Sequence, residues 1–186
     1  MVSFNFAALA MAFAASAIAV PTGTTFQQPS TTVSVPQTGV THSITAGLGG
    51  QLIYDPENVV ADPGDILEIK FLPANHSIAQ SSFGEPCKPL NNGVSVFPGF
   101  PFATKEGLSP EVFQFVVPDR NPLWFYCPQA NHCEKGMALA VNQNFNSANT
   151  LAAYKAKAAL VDKTVVPDVS SAGSVIPDPH PDRGFN

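Results

Sequence analysis

Charged residues are scarce in this 186-residue chain, and its basic residues do not cluster. Only 12% of the residues are Asp, Glu, Lys or Arg, and the formal net charge is −5. Proteins bind nucleic acids and anionic lipids mainly through runs or patches of Lys and Arg. The sequence therefore predicts neither as a partner.

The sequence also lacks a second long apolar segment after its N-terminal one. Residues 4–19 are almost wholly apolar and end in Ser16-Ala17-Ile18-Ala19, the pattern of a signal-peptide core followed by a cleavage site. This run is short for a membrane span, and the polar residues 177–186 lack the hydrophobic tail of a GPI signal. We therefore expect residues 1–19 to be a signal peptide. The mature protein should be secreted, soluble and monomeric, with no membrane span.

Cysteine is scarce as well, and its count is odd. With three cysteines in a secreted chain, one must stay unpaired or bind something else. If Cys127 binds a metal, Cys87 and Cys133 remain to form a disulfide, which an oxidising compartment permits. A stray free thiol with either other pairing stays open, because connectivity cannot be proved from sequence.

One segment in the second half of the chain concentrates metal-binding side chains. The strand-like run Leu123–Tyr126 leads into Cys127, and His132 and Met137 follow at even spacing. A thiolate, an imidazole and a thioether are soft ligands that select copper over hard cations. With a second histidine they form a blue-copper electron-transfer site, and His76 is the predicted upstream ligand.

Each candidate ligand also has an ordinary structural explanation. Met137 begins an apolar strand and could pack in the core, His132 could cap a loop, and His76 could bond to backbone. Zinc could also occupy such a site, although methionine is a poor zinc ligand. The combination with the unpaired cysteine favours one type 1 copper site. His42 and His180 lie outside the pattern, and we expect them on a first-strand surface and in a mobile tail.

The rest of the pattern predicts a mainly β domain with an extension at each end. Residues 20–40 are rich in Ser, Thr and Pro and predict a flexible leader. Residues 41–142 contain short alternating strands separated by turn residues, which favours a β-sandwich. Residues 143–163 predict a helical extension, with the helix over 147–161, and residues 164–186 predict a disordered tail.

These motifs together resemble those of cupredoxins, in particular the phytocyanin-like type of fungal extracellular serine-rich proteins. The similarity covers about residues 41–142, and it is carried by Trp124-Phe125-Tyr126-Cys127, His132-Cys133, Met137, Asn75-His76-Ser77 and Ser82–Cys87. It implies a Greek-key β-sandwich of seven or eight strands, with one type 1 copper bound at one end. It also implies a Cys87–Cys133 disulfide, since phytocyanins pair the cysteine after the ligand histidine with one in the preceding loop.

One position departs from the common cupredoxin pattern. Many cupredoxins have an asparagine directly after the first ligand histidine, and it ties the ligand loops together. Ser77 stands there in this chain. The resemblance therefore does not define how the two ligand loops are joined here.

The resemblance implies a one-electron carrier that cycles between Cu(I) and Cu(II). A weak axial methionine leaves no strongly Lewis-acidic position, and no catalytic triad or pair of carboxylates stands out. We therefore do not expect an enzyme. Two alternatives stay open, namely a copper-binding module for storage, acquisition or delivery, and a cell-wall or host-surface interaction domain. The sequence does not identify the redox partner.

Asn75-His76-Ser77 is also the single N-x-Ser/Thr sequon of the chain. If this segment is a strand, as the pattern over 76–80 suggests, Asn75 points away from the face that carries His76. A glycan on Asn75 could then coexist with copper. The opposite expectation is an unused sequon, because a strand offers poor access to the transferase.

Overall fold

Alternating apolar residues form the strands of two sheets in this protein, whose computed structural model describes residues 39–90, 95–168 and 172–181. The first sheet contains, in spatial order, β2 (Tyr54–Asp55), β1 (Thr41–Ala46), β4 (Ile66–Phe71), β6 (Glu111–Val116) and β9 (Ser174–Pro177). The second contains β3 (Asn58–Val59), β8 (Ala138–Val141), β7 (Leu123–Tyr126) and β5 (Ala79–Ser81). Strand β1 runs parallel to β4, and β3 runs parallel to β8, whereas the other pairs are antiparallel. The predicted mainly β sandwich is confirmed.

The core lies between the two sheets and is mostly aliphatic and aromatic. Phe115 of β6 meets Phe125 of β7 edge to face, with ring centroids 6.1 Å apart. Ile44, Ile69 and Leu139 are at most 1% exposed and belong to the same cluster. Burying a side chain of this size stabilises a fold by about 1.5–3 kcal/mol. This packing makes a rigid base for the loops at the sheet ends.

Helix α1 (Leu151–Ala158) is shorter than the sequence predicted. The side chain of Thr150 caps it by accepting a hydrogen bond from the Ala153 N–H at 3.2 Å. Before Thr150, Ser147 accepts a hydrogen bond from the Asn149 N–H, a local turn that competes with helix formation. The predicted buried face is confirmed, since Leu151, Tyr154 and Ala158 are the buried residues of the helix.

The expectation of disorder over all of residues 164–186 is wrong for the parts the structure describes. Strand β9 pairs antiparallel with β6, and the carboxylate of Asp178 accepts hydrogen bonds from the buried Lys70 Nζ at 2.9 and 3.0 Å. Thr164 is also held, because its backbone N–H donates to the Glu134 carboxylate at 2.6 Å. A strand of only four residues carries too little local pattern to be recognised, and its partners lie far away in the chain.

Several sequence expectations fall outside the described residues. The signal peptide over 1–19 lies there, as does the leader over 20–40 except for Gly39 and Val40. Val40 is fixed, since its N–H donates to the Asp65 carboxylate at 2.9 Å. Within the described ranges, no helix is long and apolar enough to cross a membrane.

Candidate metal centre

The second sheet places Cys127 and Met137 opposite each other at one end of its β7–β8 ladder. Tyr126 pairs with Ala138 as the last register pair, and the Cys127 N–H then donates to the Met137 carbonyl at 3.2 Å. Both side chains are 0% exposed and lie in the same core cluster. The two sulfur-bearing candidates are therefore fixed by backbone pairing.

Backbone hydrogen bonds fold the loop between Cys127 and Met137 so that His132 lies close to Cys127. The His132 N–H donates to the Gln129 carbonyl at 2.9 Å, and the Met137 N–H donates to the His132 carbonyl at 2.9 Å. Gly136, at φ +92°, supplies the left-handed turn just before Met137. Next to His132, Cys133 forms a disulfide with Cys87, which anchors the loop covalently. This pairing confirms the expectation for the two cysteines.

His76 reaches the same point from a different part of the chain, and it does not lie on a strand. The segment after β4 turns through Ala74 (φ +98°) and Asn75 (φ +54°), and β5 begins only at Ala79. The predicted strand over 76–80 is therefore wrong for His76, because two successive left-handed residues interrupt the extended backbone. His76 is 1% exposed.

The three nitrogen- and sulfur-bearing side chains converge. The Cys127 Sγ lies 4.0 Å from the Nδ1 of His76 and 3.5 Å from the Nδ1 of His132. The two imidazole rings are tilted by 51°, with centroids 5.0 Å apart. Among the described residues, these three form the one group of His, Cys, Asp or Glu donors close enough together to hold a metal ion. Only His132 is partly exposed, so the cluster meets solvent through its ring.

Burial keeps all three groups uncharged at neutral pH. It raises the pKa of the Cys127 thiol to about 11, although N–H groups of Ser77 and Gln129 and the Tyr54 hydroxyl act in the opposite direction. Burial, reinforced by His132, lowers the pKa of His76 to about 4. The pKa of His132 is lowered too, by burial and then by Lys135. Neutral imidazole is the form that binds metals.

This donor set fits a copper ion. Two donors bound to one metal at about 2.0–2.3 Å lie about 3–4.5 Å apart, and both sulfur–nitrogen distances fall in that range. Two imidazoles and a cysteine sulfur match the equatorial donor set that blue-copper sites use. The structure brings His76, Cys127 and His132 together, and it places Met137 beside Cys127 through the ladder.

The two ligand loops are joined by a hydrogen bond that the sequence did not predict. Asn75 Nδ2 donates to Gln129 Oε1 at 3.3 Å, which links the His76 turn to the Cys127–Met137 loop. Ser77, where many cupredoxins have asparagine, instead donates its hydroxyl to the Gly99 carbonyl. No local signal in the sequence predicts these contacts, since each depends on how distant loops meet.

Two packed sheets with a cluster of soft donors at one end are typical of metal-binding β-sandwich proteins. Comparison with known proteins identifies the family within this class. No protein-family model matches the chain. A curated protein of Arthroderma benhamiae, "Probable GPI-anchored cupredoxin-1", is 32% identical over 134 residues, which is 72% of this chain and 67% of that protein. The "Extracellular serine-rich protein" of the same organism is 29% identical over 135 residues, 73% of this chain and 51% of that protein.

Solved cupredoxin structures show a looser likeness. Native pseudoazurin from Hyphomicrobium denitrificans has a TM-score of 0.38 at 19% identity, covering 66% of this chain and 98% of that one. Reduced auracyanin from Roseiflexus castenholzii has a TM-score of 0.38 at 16% identity, and the match covers 55% of this chain and 94% of auracyanin.

The chain belongs to the cupredoxin family. It spans about two thirds of the first curated relative and about half of the second. Membership supports a copper-binding, electron-carrying kind of function, with His76, Cys127 and His132 placed as possible ligands.

Proposed function

We propose that this protein is a secreted type 1 copper protein that carries single electrons. His76, Cys127 and His132 would be the equatorial ligands and Met137 the weak axial one. The observation that supports this proposal most directly is that the Nδ1 atoms of His76 and His132 lie 4.0 and 3.5 Å from the buried Cys127 Sγ. When bound, copper supplies a couple that gains or loses one electron without making or breaking bonds to a substrate.

The chain's own residues keep the site rigid and partly shielded. Backbone hydrogen bonds hold Cys127, Met137 and His132 in place. The turn before His76 is held by the Asn75–Gln129 hydrogen bond. Little rearrangement of the ligands is then possible when the charge of the metal changes. The partly exposed ring of His132 gives an electron a short route to a partner, and catalysis of bond-making reactions is not expected.

The visible spectrum of the purified protein after Cu(II) addition tests this proposal. An intense thiolate-to-copper band should appear, and Cys127→Ser should remove it because the sulfur donor is lost. A colourless protein that binds no copper would refute the proposal. Tight copper binding with sluggish exchange with small redox reagents would instead favour storage or delivery.

Secretion is part of the same proposal. It is supported by the signal-like residues 1–19, by the Cys87–Cys133 disulfide, and by the extracellular or GPI-anchored naming of the two relatives. The expected mature N-terminus is Val20, after cleavage at Ala19. N-terminal sequencing of protein secreted by a eukaryotic host would check this, and retention of residues 1–19 would contradict it.

We also propose that Asn75 can carry an N-linked glycan. A strand at Asn75 would hinder the glycosyltransferase. Asn75 instead lies in a left-handed turn beside the exposed Ala74, where the transferase has better access. Intact mass before and after glycosidase treatment of protein from a eukaryotic host is the test. A homogeneous unmodified Asn75 peptide would end this proposal without affecting the copper assignment.

A further inference from the structure

The β1–β2 hairpin lies directly behind the His76 side chain. β1 ends at Ala46, which pairs with Tyr54 of β2 in the antiparallel ladder. Between them, the Gly47 N–H donates to the Ile53 carbonyl at 2.9 Å.

Gly47 touches the imidazole ring from the side away from Cys127. A Cβ atom added at Gly47 would lie 2.5 Å from the His76 Nε2 and 2.7 Å from its Cδ2. Such distances are far below normal contact, so any other residue would have to displace the ring. Nδ1 of the same ring faces Cys127. The backbone at Gly47 therefore restricts rotation of the ring and keeps Nδ1 directed toward Cys127.

Tyr54 holds the residue that follows His76. Its hydroxyl donates to the Ser77 carbonyl at 2.6 Å, and the side chain is 0% exposed. A short hydrogen bond from a fully buried hydroxyl fixes the position of the peptide that follows His76. The same hydroxyl interacts with the thiol of Cys127. One side chain thus contacts both halves of the candidate centre.

We propose that the β1–β2 hairpin is the support that orients His76 for metal binding, with Tyr54 and Gly47 as its positioning residues. The inference rests on the proposed copper site. Through its hydrogen bond to the Ser77 carbonyl, Tyr54 fixes the position of the backbone at His76 and Ser77. Through its close contact, Gly47 fixes the rotation of the His76 imidazole ring. Groups that orient ligands in this way typically change metal affinity about 10–100-fold when they are removed.

The deciding comparison is Tyr54→Phe against Tyr154→Phe, since both tyrosines are 0% exposed and each hydroxyl takes part in a buried hydrogen bond. The Tyr154 hydroxyl bonds to Ser81 and to the Cys87 backbone, and among the described residues no hydrogen bond joins it to His76, Cys127 or His132. We expect Tyr54→Phe to lower copper affinity roughly 10–100-fold, measured by chelator competition, and to change the ratio of the visible bands. Tyr154→Phe should keep the wild-type affinity and spectrum. Equal behaviour of the two variants would overturn the role of Tyr54.

A second pair separates ring contact from backbone strain. Gly47 and Gly50 both have positive φ, at +88° and +72°, but a Cβ at Gly50 meets nothing within 4 Å. In the copper-free protein, Gly47→Ala should shift the NMR signals of the His76 ring, whereas Gly50→Ala should leave them in place. Matching signals in both variants would overturn the role of Gly47. If Gly47→Ala does not fold, the tyrosine pair decides, because Tyr54→Phe adds no atom and strains no backbone.

Failure of the copper assignment can be told apart from failure of this inference. Wild-type protein that binds no copper would refute the proposed function alone. The His76 ring signals of copper-free Tyr54→Phe and Gly47→Ala would still report on the hairpin. Signals identical to wild type in both variants would refute the positioning role, whatever the wild type binds.

Discussion

The ligand cluster and the Lys70–Asp178 pair are both buried polar groups of one sandwich, but their charges are balanced differently. Lys70 Nζ donates to both Asp178 carboxylate oxygens and to the His180 carbonyl, and the two side chains are 9% and 3% exposed. Within the described ranges, no ion pair joins His76, Cys127 or His132 to a charged group. Burial instead holds Cys127 and His76 in their neutral forms. The first region is stabilised by a completed ion pair, and the second keeps its donors uncharged and available.

The largest expected effect comes from breaking the ion pair on one side. Asp178→Ala leaves the buried Lys70 ammonium without its partner, which should cost about 3–5 kcal/mol of unfolding free energy. Urea denaturation measures it. Glu85→Gln is the control, because the Lys88–Glu85 pair is 52% and 69% exposed and should be worth less than about 1 kcal/mol. Equal losses in the two variants would mean that Lys70–Asp178 is screened by water despite its burial.

Removing the disulfide should have a somewhat smaller effect, centred on the ligand region. Cys87→Ala combined with Cys133→Ala opens a link between residues 46 apart in sequence and should cost about 2–5 kcal/mol. Cys127→Ala, which keeps the disulfide, is the control for losing a buried sulfur. Thermal unfolding of the copper-free proteins would compare them. A double variant as stable as Cys127→Ala would show that the loop hydrogen bonds alone hold His132.

Changing the axial candidate should alter the electronic properties of the site more than its stability. Met137→Gln should keep copper and lower the reduction potential, because a stronger axial ligand favours Cu(II). A tenfold change in the affinity for Cu(II) relative to Cu(I) corresponds to about 59 mV for a one-electron couple. We expect a shift of about that size. Met137→Leu should shift the potential upward. Voltammetry measures both, and unchanged potentials would remove Met137 from the ligand set.

The smallest effect concerns a pair of intermediate burial. The His42 side chain, with the N–H groups of Asp62 and Val40, holds the pKa of the Asp65 carboxyl below its ordinary range. A carboxyl whose folded pKa is depressed stabilises the fold above its unfolded pKa, about 3.9, and loses that contribution as pH falls through the folded value. Asp65→Asn should therefore be less stable than wild type at pH 7, with the gap closing as the pH falls below about 4. A gap that is constant with pH would contradict an ionic origin.

The sequence was most informative where the chemistry is local. Cys127 and His132 lie on one loop after strand β7, so the approach of their side chains could be predicted from spacing. His76 could be chosen as the upstream candidate ligand, but the turn that carries it could not be predicted, because the left-handed residues before it carry no strong local signal. Tyr54, Gly47 and the Lys70–Asp178 pair were missed for one physical reason. Each acts through a contact between residues far apart in sequence, which only the packing of the two sheets creates.

The late position of strand β9 in the chain has a consequence for biosynthesis. β6 lies at the edge of its sheet until Ser174–Pro177 has been translated, about sixty residues after β6 itself. During that interval the run Glu111–Val116, with three of its residues buried in the finished fold, exposes unpaired backbone to neighbouring chains. The short edge strand therefore acts as a late cover against strand-to-strand aggregation. A chain cut before Ser174 should aggregate during expression even though every candidate copper ligand is present.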